Sequence, residues 1–116
     1  MEAGKENEVS VSFMSFFTAG KNLEKFDVIF CCPHLRVHMD NFLKDYKPQI
    51  PIYVMPKRMY GLMTFDSIYE EAQDVIELYK INKTNPVIFP NEENYNDIKR
   101  FESFRHVYGD FHQYTK

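Results

Sequence analysis

The chain has 116 residues, is 44% hydrophobic and 16% aromatic, and carries a net charge of −3 with both signs interspersed. That length suits one domain with a real core, and the charge pattern lacks the basic footprint of a nucleic-acid binder. No apolar run reaches the length of a membrane span and no signal peptide opens the chain, so a soluble, cytoplasmic protein is expected.

Residues 1–7 are polar and charged and read as the last turn of a helix ended by Gly4. From Glu8 the residues alternate. Val9, Val11 and Phe13 fall on one side, with Ser10, Ser12 and Met14 on the other, as in an edge strand. A connection of about one helical turn over Phe16–Lys25 follows. Asp27–Cys32 is apolar on both faces, which predicts an interior parallel strand, stopped by Pro33. Leu35, Met39, Phe42, Leu43 and Tyr46 then mark one face of a helix that ends at Lys47-Pro48.

Pro51–Met55 is a second strand, with proline tolerated at its first position. Pro56–Met63 is expected as a loop, and Gly61 in it as a residue of positive φ. The next helix spans Thr64–Ile81, with Ile68, Ala72, Val75, Ile76 and Tyr79 on its inner face and a cap from Thr64, Asp66 or Ser67. This alternation of strand and helix predicts parallel strands joined by crossover helices. Residues 82–86 resemble a linker, Val87–Pro90 is too short to assign, and a helix is expected over Asn94–Tyr108, ended by Gly109. Tyr95, Phe101, Phe104, Tyr108, Phe111 and Tyr114 make this tail strongly aromatic, so it should pack on the domain or on a partner. The division is thus a domain over residues 1–81 and an extension over residues 82–116.

Three stretches carry a resemblance: Asp27-Val-Ile-Phe-Cys-Cys-Pro-His-Leu-Arg36, Pro51-Ile-Tyr-Val-Met55, and Tyr60-Gly-Leu-Met63 before a helix. In order and spacing they resemble the IIB component of the bacterial sugar phosphotransferase system, in its lactose/cellobiose class, over about Val9–Tyr79. The resemblance implies an α/β, three-layer doubly wound fold with a parallel sheet of order 2-1-3-4. It implies a transferase of the phosphotransferase type, a phosphoprotein that passes phosphate from a IIA phosphohistidine through a cysteine to a sugar such as a β-glucoside. Its implied partners are the IIA and IIC components, with the membrane reached only through IIC during sugar transport.

In that family the cysteine sits in a Cys-x-x-Gly-x-Ser loop between the first strand and first helix. A helix N-terminus there stabilises both thiolate and phosphate. This sequence has no such loop and matches the family from the exit of its first helix onward, so the first strand is expected to be absent. A misassigned start, a fragment and a degenerate paralogue are the three explanations. A sheet without that strand is expected either to close up or to form a homodimer by strand pairing.

The catalytic residue is therefore unassigned. Cys31 and Cys32 are the thiols at hand, and neighbours on a strand point to opposite faces, so no disulfide between them is expected. They read first as small buried hydrophobes and only weakly as phosphoryl acceptors. Pro33, His34, Arg36, Tyr60 and Gly61 are the candidate partner-binding residues. His34 stands where the family has Gln, and Arg36 matches the family arginine, which holds the sheet edge, steers an anionic partner, or is a plain surface residue. His34 and His38 lack a third ligand, so no metal and no cofactor are expected. Two functions remain open: a IIB-type phosphocarrier, and a non-catalytic IIB-like interaction or regulatory module.

Overall fold

Two short parallel strands lie at the centre of a mixed helix-and-sheet domain. The computed structural model describes residues 14–62 and 64–114, so the edge strand expected from Val9 lies outside it except for Met14, which is in no regular element. In order, the elements are α1 (Phe16–Gly20), β1 (Ile29–Cys31), α2 (Arg36–Tyr46), β2 (Ile52–Val54), α3 (Lys57–Leu62), α4 (Phe65–Asn82) and α5 (Phe104–Tyr108). Strand β1 pairs with β2 in the register Ile29 to Ile52, Phe30 to Tyr53 and Cys31 to Val54. Both strands are shorter than the apolar runs that announce them. No described helix is long and apolar enough to cross a membrane.

A two-stranded sheet is marginal alone, and the side chains above and below supply the stability. Alternate strand residues enter two different clusters, as a period of two requires. Cys31, Ile52 and Val54 pack with Ala19 of α1 and with Met39 and Phe42 of α2. Tyr53 packs with Val75 and Leu78 of α4, and with Val87, Phe89, Phe104 and Phe111 of the tail. The aromatic tail thus completes the core: Phe89, Phe104 and Phe111 are each at most 2% exposed.

The helix ends follow local chemistry. Ser15 accepts a hydrogen bond from the Thr18 N–H and starts α1. Thr64, among the three candidate caps, starts α4 by accepting from the Ser67 N–H. Lys47 and Lys83 end α2 and α4 in the left-handed conformation. Gly109, at φ +88°, ends α5 where a side chain would be strained. The glycine at position 20 serves close packing instead. A Cβ there would collide with the Tyr46 ring.

Three local expectations are corrected. The loop expected after Pro56 is the helix α3, because Lys57–Tyr60 are fair helix formers and Met59 buries completely against the core. Gly61 lies inside that helix, so it has no positive φ, and a Cβ there would meet nothing. The helix expected over Asn94–Tyr108 is broken into a 3-10 turn, Tyr95–Asp97, an extended stretch, and α5. Asn94 and Ser103 break it by bonding the N–H groups of Asn96 and His106 with their own side chains.

Candidate docking edge

Parallel pairing brings the C-terminal ends of β1 and β2 side by side, and the chain leaves both into helical turns. This is where open α/β sheets place their sites. Pro33 opens a 3-10 turn over Pro33–Leu35, which leads into α2. Its missing N–H costs nothing at a first helical position. Pro56 leads into α3, whose first hydrogen bond runs from the Tyr60 N–H to the Pro56 carbonyl at 2.9 Å.

The edge gathers several of the sequence candidates. The His34 and Tyr60 rings meet edge to face, with centroids 6.0 Å apart. The neighbouring Cys32 thiol holds the Tyr60 phenol above its ordinary pKa. Cys32, His34 and Tyr60 therefore form one cluster from three positions, two at the exit of β1 and one on α3. Arg36 lies on the next turn, with its guanidinium 4.6 Å from the centre of the Tyr95 ring. The Tyr95 hydroxyl donates in turn to the Met55 carbonyl, which ties the tail to the end of β2. Gly61 stands next to the cluster but contributes no special backbone geometry.

The two cysteines are free and differ in environment. Cys31 is 3% exposed, its thiol donates to the Cys32 carbonyl, and burial pushes its pKa up to about 11. It is a protonated thiol at neutral pH and a poor nucleophile. Cys32 is half-buried and points to the cluster. Among the described residues no group of three or more His, Cys, Asp or Glu side chains is placed to hold a metal ion.

A second polar constellation escaped the sequence reading. Arg100, buried beside the stacked rings of Phe89 and Phe104, donates to Glu71 at 2.8 Å and grips Glu92 through two bonds of 2.7 and 2.8 Å. It also donates to the Tyr53 hydroxyl, which itself donates to Glu71 at 2.6 Å. The other oxygen of Glu71 accepts from the Phe104 N–H. Two carboxylates thus share one guanidinium. Burial pushes the Glu71 carboxyl up, and the Arg100 charge and the bonds from Tyr53 and Phe104 offset this only in part. Burial works against the Arg100 charge, but the Glu92 hydrogen bond and the surrounding Tyr53, Glu71 and Glu92 together outweigh it and keep the guanidinium ionised. Beside this network Arg105 pairs with Asp74, and Ser103 donates to Glu70. The only signal in the sequence was charge: Glu71 and Asp74 are three apart on α4 beside the expected apolar stripe. These bonds fix the tail.

No protein-family model, no curated protein and no solved structure matches this chain.

Proposed function

We propose that this chain is a binding module of the IIB plan, whose partner docks on the joined C-terminal ends of β1 and β2. In this reading the fold is a three-layer doubly wound α/β domain, with α2 on one face of the sheet and α4 and the tail on the other. The convergence of Cys32, His34 and Tyr60 at that edge carries the proposal. Two exposed apolar side chains, Val37 at 78% and Leu62 at 65%, belong to the helices that leave it, and such groups favour contact with another protein. The partner is a IIA-type phosphohistidine protein, and any link to the membrane runs through a IIC-type component. Titration of a purified IIA-type protein against the chain by calorimetry tests this. Tyr60→Glu should weaken binding at least about tenfold, as loss of a central aromatic contact does. Equal binding by wild type and variant, or none by either, would reject the docking edge.

A phosphocarrier is the second reading, favoured by the half-buried position of Cys32 at a strand end beside Tyr60. There the Cys32 thiolate would attack the phosphohistidine phosphorus, forming S–P as N–P breaks, with the imidazole taking a proton. The intact mass after incubation with a phosphorylated IIA-type protein separates the two. A phosphate adduct lost in Cys32→Ala supports transfer, and unchanged mass with binding intact supports docking alone.

A further inference from the structure

Strand β2 has an outer edge as well as a C-terminal one, and the register fixes which groups lie there. The Ile29 N–H donates to the Pro51 carbonyl and the Met55 N–H to the Cys31 carbonyl. In a parallel ladder this turns the backbone groups of Pro51, Tyr53 and Met55 toward β1, and those of Ile52 and Val54 away from it. Ile52 is satisfied on that outer side. Its N–H donates to Asn85 Oδ1 at 2.8 Å, and its carbonyl accepts from the Val87 N–H at 2.8 Å. Val54 is not. Among the described residues nothing pairs with its N–H or its carbonyl, although the residue is only 9% exposed. The tail begins a strand pairing at Val87 and then abandons it, because Phe89 turns into the core.

A cleft of about 540 Å³ opens where the pairing stops, with Val54, Val87, Ile88, Tyr95 and Ile98 among its walls. Arg36 lies at the same cleft, stacked on Tyr95, and no carboxylate pairs with it among the described residues. The acidic residues of the cleft are engaged elsewhere: Glu92 holds Arg100, and Glu93 accepts from the Asn91 N–H. We propose that this cleft takes an extended peptide segment of a partner protein, which adds as a strand to β2 through Val54 and sets one acidic side chain on Arg36. A peptide backbone offers an acceptor and a donor at the spacing that a strand edge presents, and alternate side chains suit apolar walls. Leaving such a nearly buried pair unmade is unfavourable. A carboxylate on a guanidinium adds a charge-assisted bond, and Glu93 restricts the acid to the Arg36 side. The proposal shares Arg36 with the docking edge above but rests on Val54 and not on Cys32, His34 or Tyr60.

Amide hydrogen exchange on the whole chain tests it without a variant. In the free protein the Val54 amide should exchange at least about tenfold faster than that of Tyr53, whose bond lies inside the ladder. A pool of eight-residue peptides alternating Val and Thr, with one Asp at varied positions, should then slow Val54 exchange. The same pool with alternate amides N-methylated should bind about tenfold more weakly, the equivalent of about one lost hydrogen bond. Arg36→Gln should weaken binding of the unmethylated pool about fivefold and remove its preference for Asp position. Val54 already protected in the free chain, equal binding by the methylated pool, or no binding by either pool would each overturn the proposal.

Discussion

On one face of the sheet Cys31, Ile52 and Val54 meet Ala19, Met39 and Phe42, and no charged group is buried with them among the described residues. On the other, Tyr53 meets Val75, Leu78 and the tail aromatics, and Glu71, Asp74, Arg100 and Ser103 are buried alongside. Apolar burial is non-directional, so the first face tolerates small shifts of α2 against the strands. Buried ion pairs are directional and costly to break, so the second face holds the tail in one place. The difference assigns separate tasks to the faces: one supplies cohesion, the other fixes where the tail lies.

The largest expected effect breaks the second face. Arg100→Ala should destabilise the chain by about 3–5 kcal/mol in urea unfolding, because it strands buried carboxylates. Arg100→Lys should rescue little, since an ammonium cannot reproduce the two-pronged grip on Glu92. A loss below about 1 kcal/mol would mean that the network specifies nothing. On the first face Phe42→Ala should cost about 3 kcal/mol by leaving a cavity between Phe16 and Tyr46, whose rings lie 4.8 and 5.2 Å away. The two variants should differ in kind as well as in size. Phe42→Ala should leave the pH dependence of stability unchanged, and Arg100→Ala should alter it.

That pH dependence follows from the sign of the shifts on the second face. Burial raises the Glu71 and Asp74 carboxyls above their ordinary 4.5 and 3.8, against the pull of Arg100 and Arg105. The folded protein then keeps protons that the unfolded chain has already released. The associated stability is fully present below those ordinary values and is lost as pH rises through the folded ones. Stability should therefore fall as pH climbs through the weakly acidic range. Glu71→Gln, an uncharged isostere, should flatten that fall. A wild-type profile that rises over the same range would contradict the assigned direction.

The sequence displayed the first face well and the second poorly. The spacing of Leu35, Met39, Phe42 and Leu43 is a period of 3.6, and these residues do pack on one cluster. Period two in the strands likewise sorts Tyr53 from Ile52 and Val54. The stripe expected on the long helix was Ile68, Ala72, Val75, Ile76 and Tyr79, whereas the residues buried there are Glu71, Asp74, Val75 and Leu78. The inner face is turned toward the carboxylates because Arg100 and Arg105 come from the tail to meet them. Hydrophobic periodicity cannot register a charge whose partner lies about thirty residues away. The tail itself was legible as aromatic but not as broken, since side-chain caps from Asn94 and Ser103 decide its path. Of the candidate edge, Cys32, His34 and Tyr60 were visible in the motifs, but their contact depends on α3, which was expected as a loop.

The smallest expected effect lies at the exposed rim of the second face. His112 meets Asp110 at 2.6 Å and Glu77 of α4 at 3.3 Å, and all three are about half exposed. The hydrogen bond with Asp110 raises the imidazole above its ordinary 6.5, and Glu77 and Asp74 add to this. The folded chain therefore holds the His112 proton longer than the unfolded chain does. Its contribution is complete below pH 6.5 and disappears as pH rises through the folded value. Both imidazole nitrogens have an acidic neighbour, so only the cation satisfies both. Thermal unfolding from about pH 6 to 8 should show a shallow decline that His112→Gln removes. Added salt should shrink it, as for any exposed pair. Buried Arg100 is screened far less, so the salt response separates rim from core on this face. If salt left the His112 slope intact and weakened the Arg100 network instead, rim and core would have to exchange roles, and the tail would be held from its end rather than from its middle.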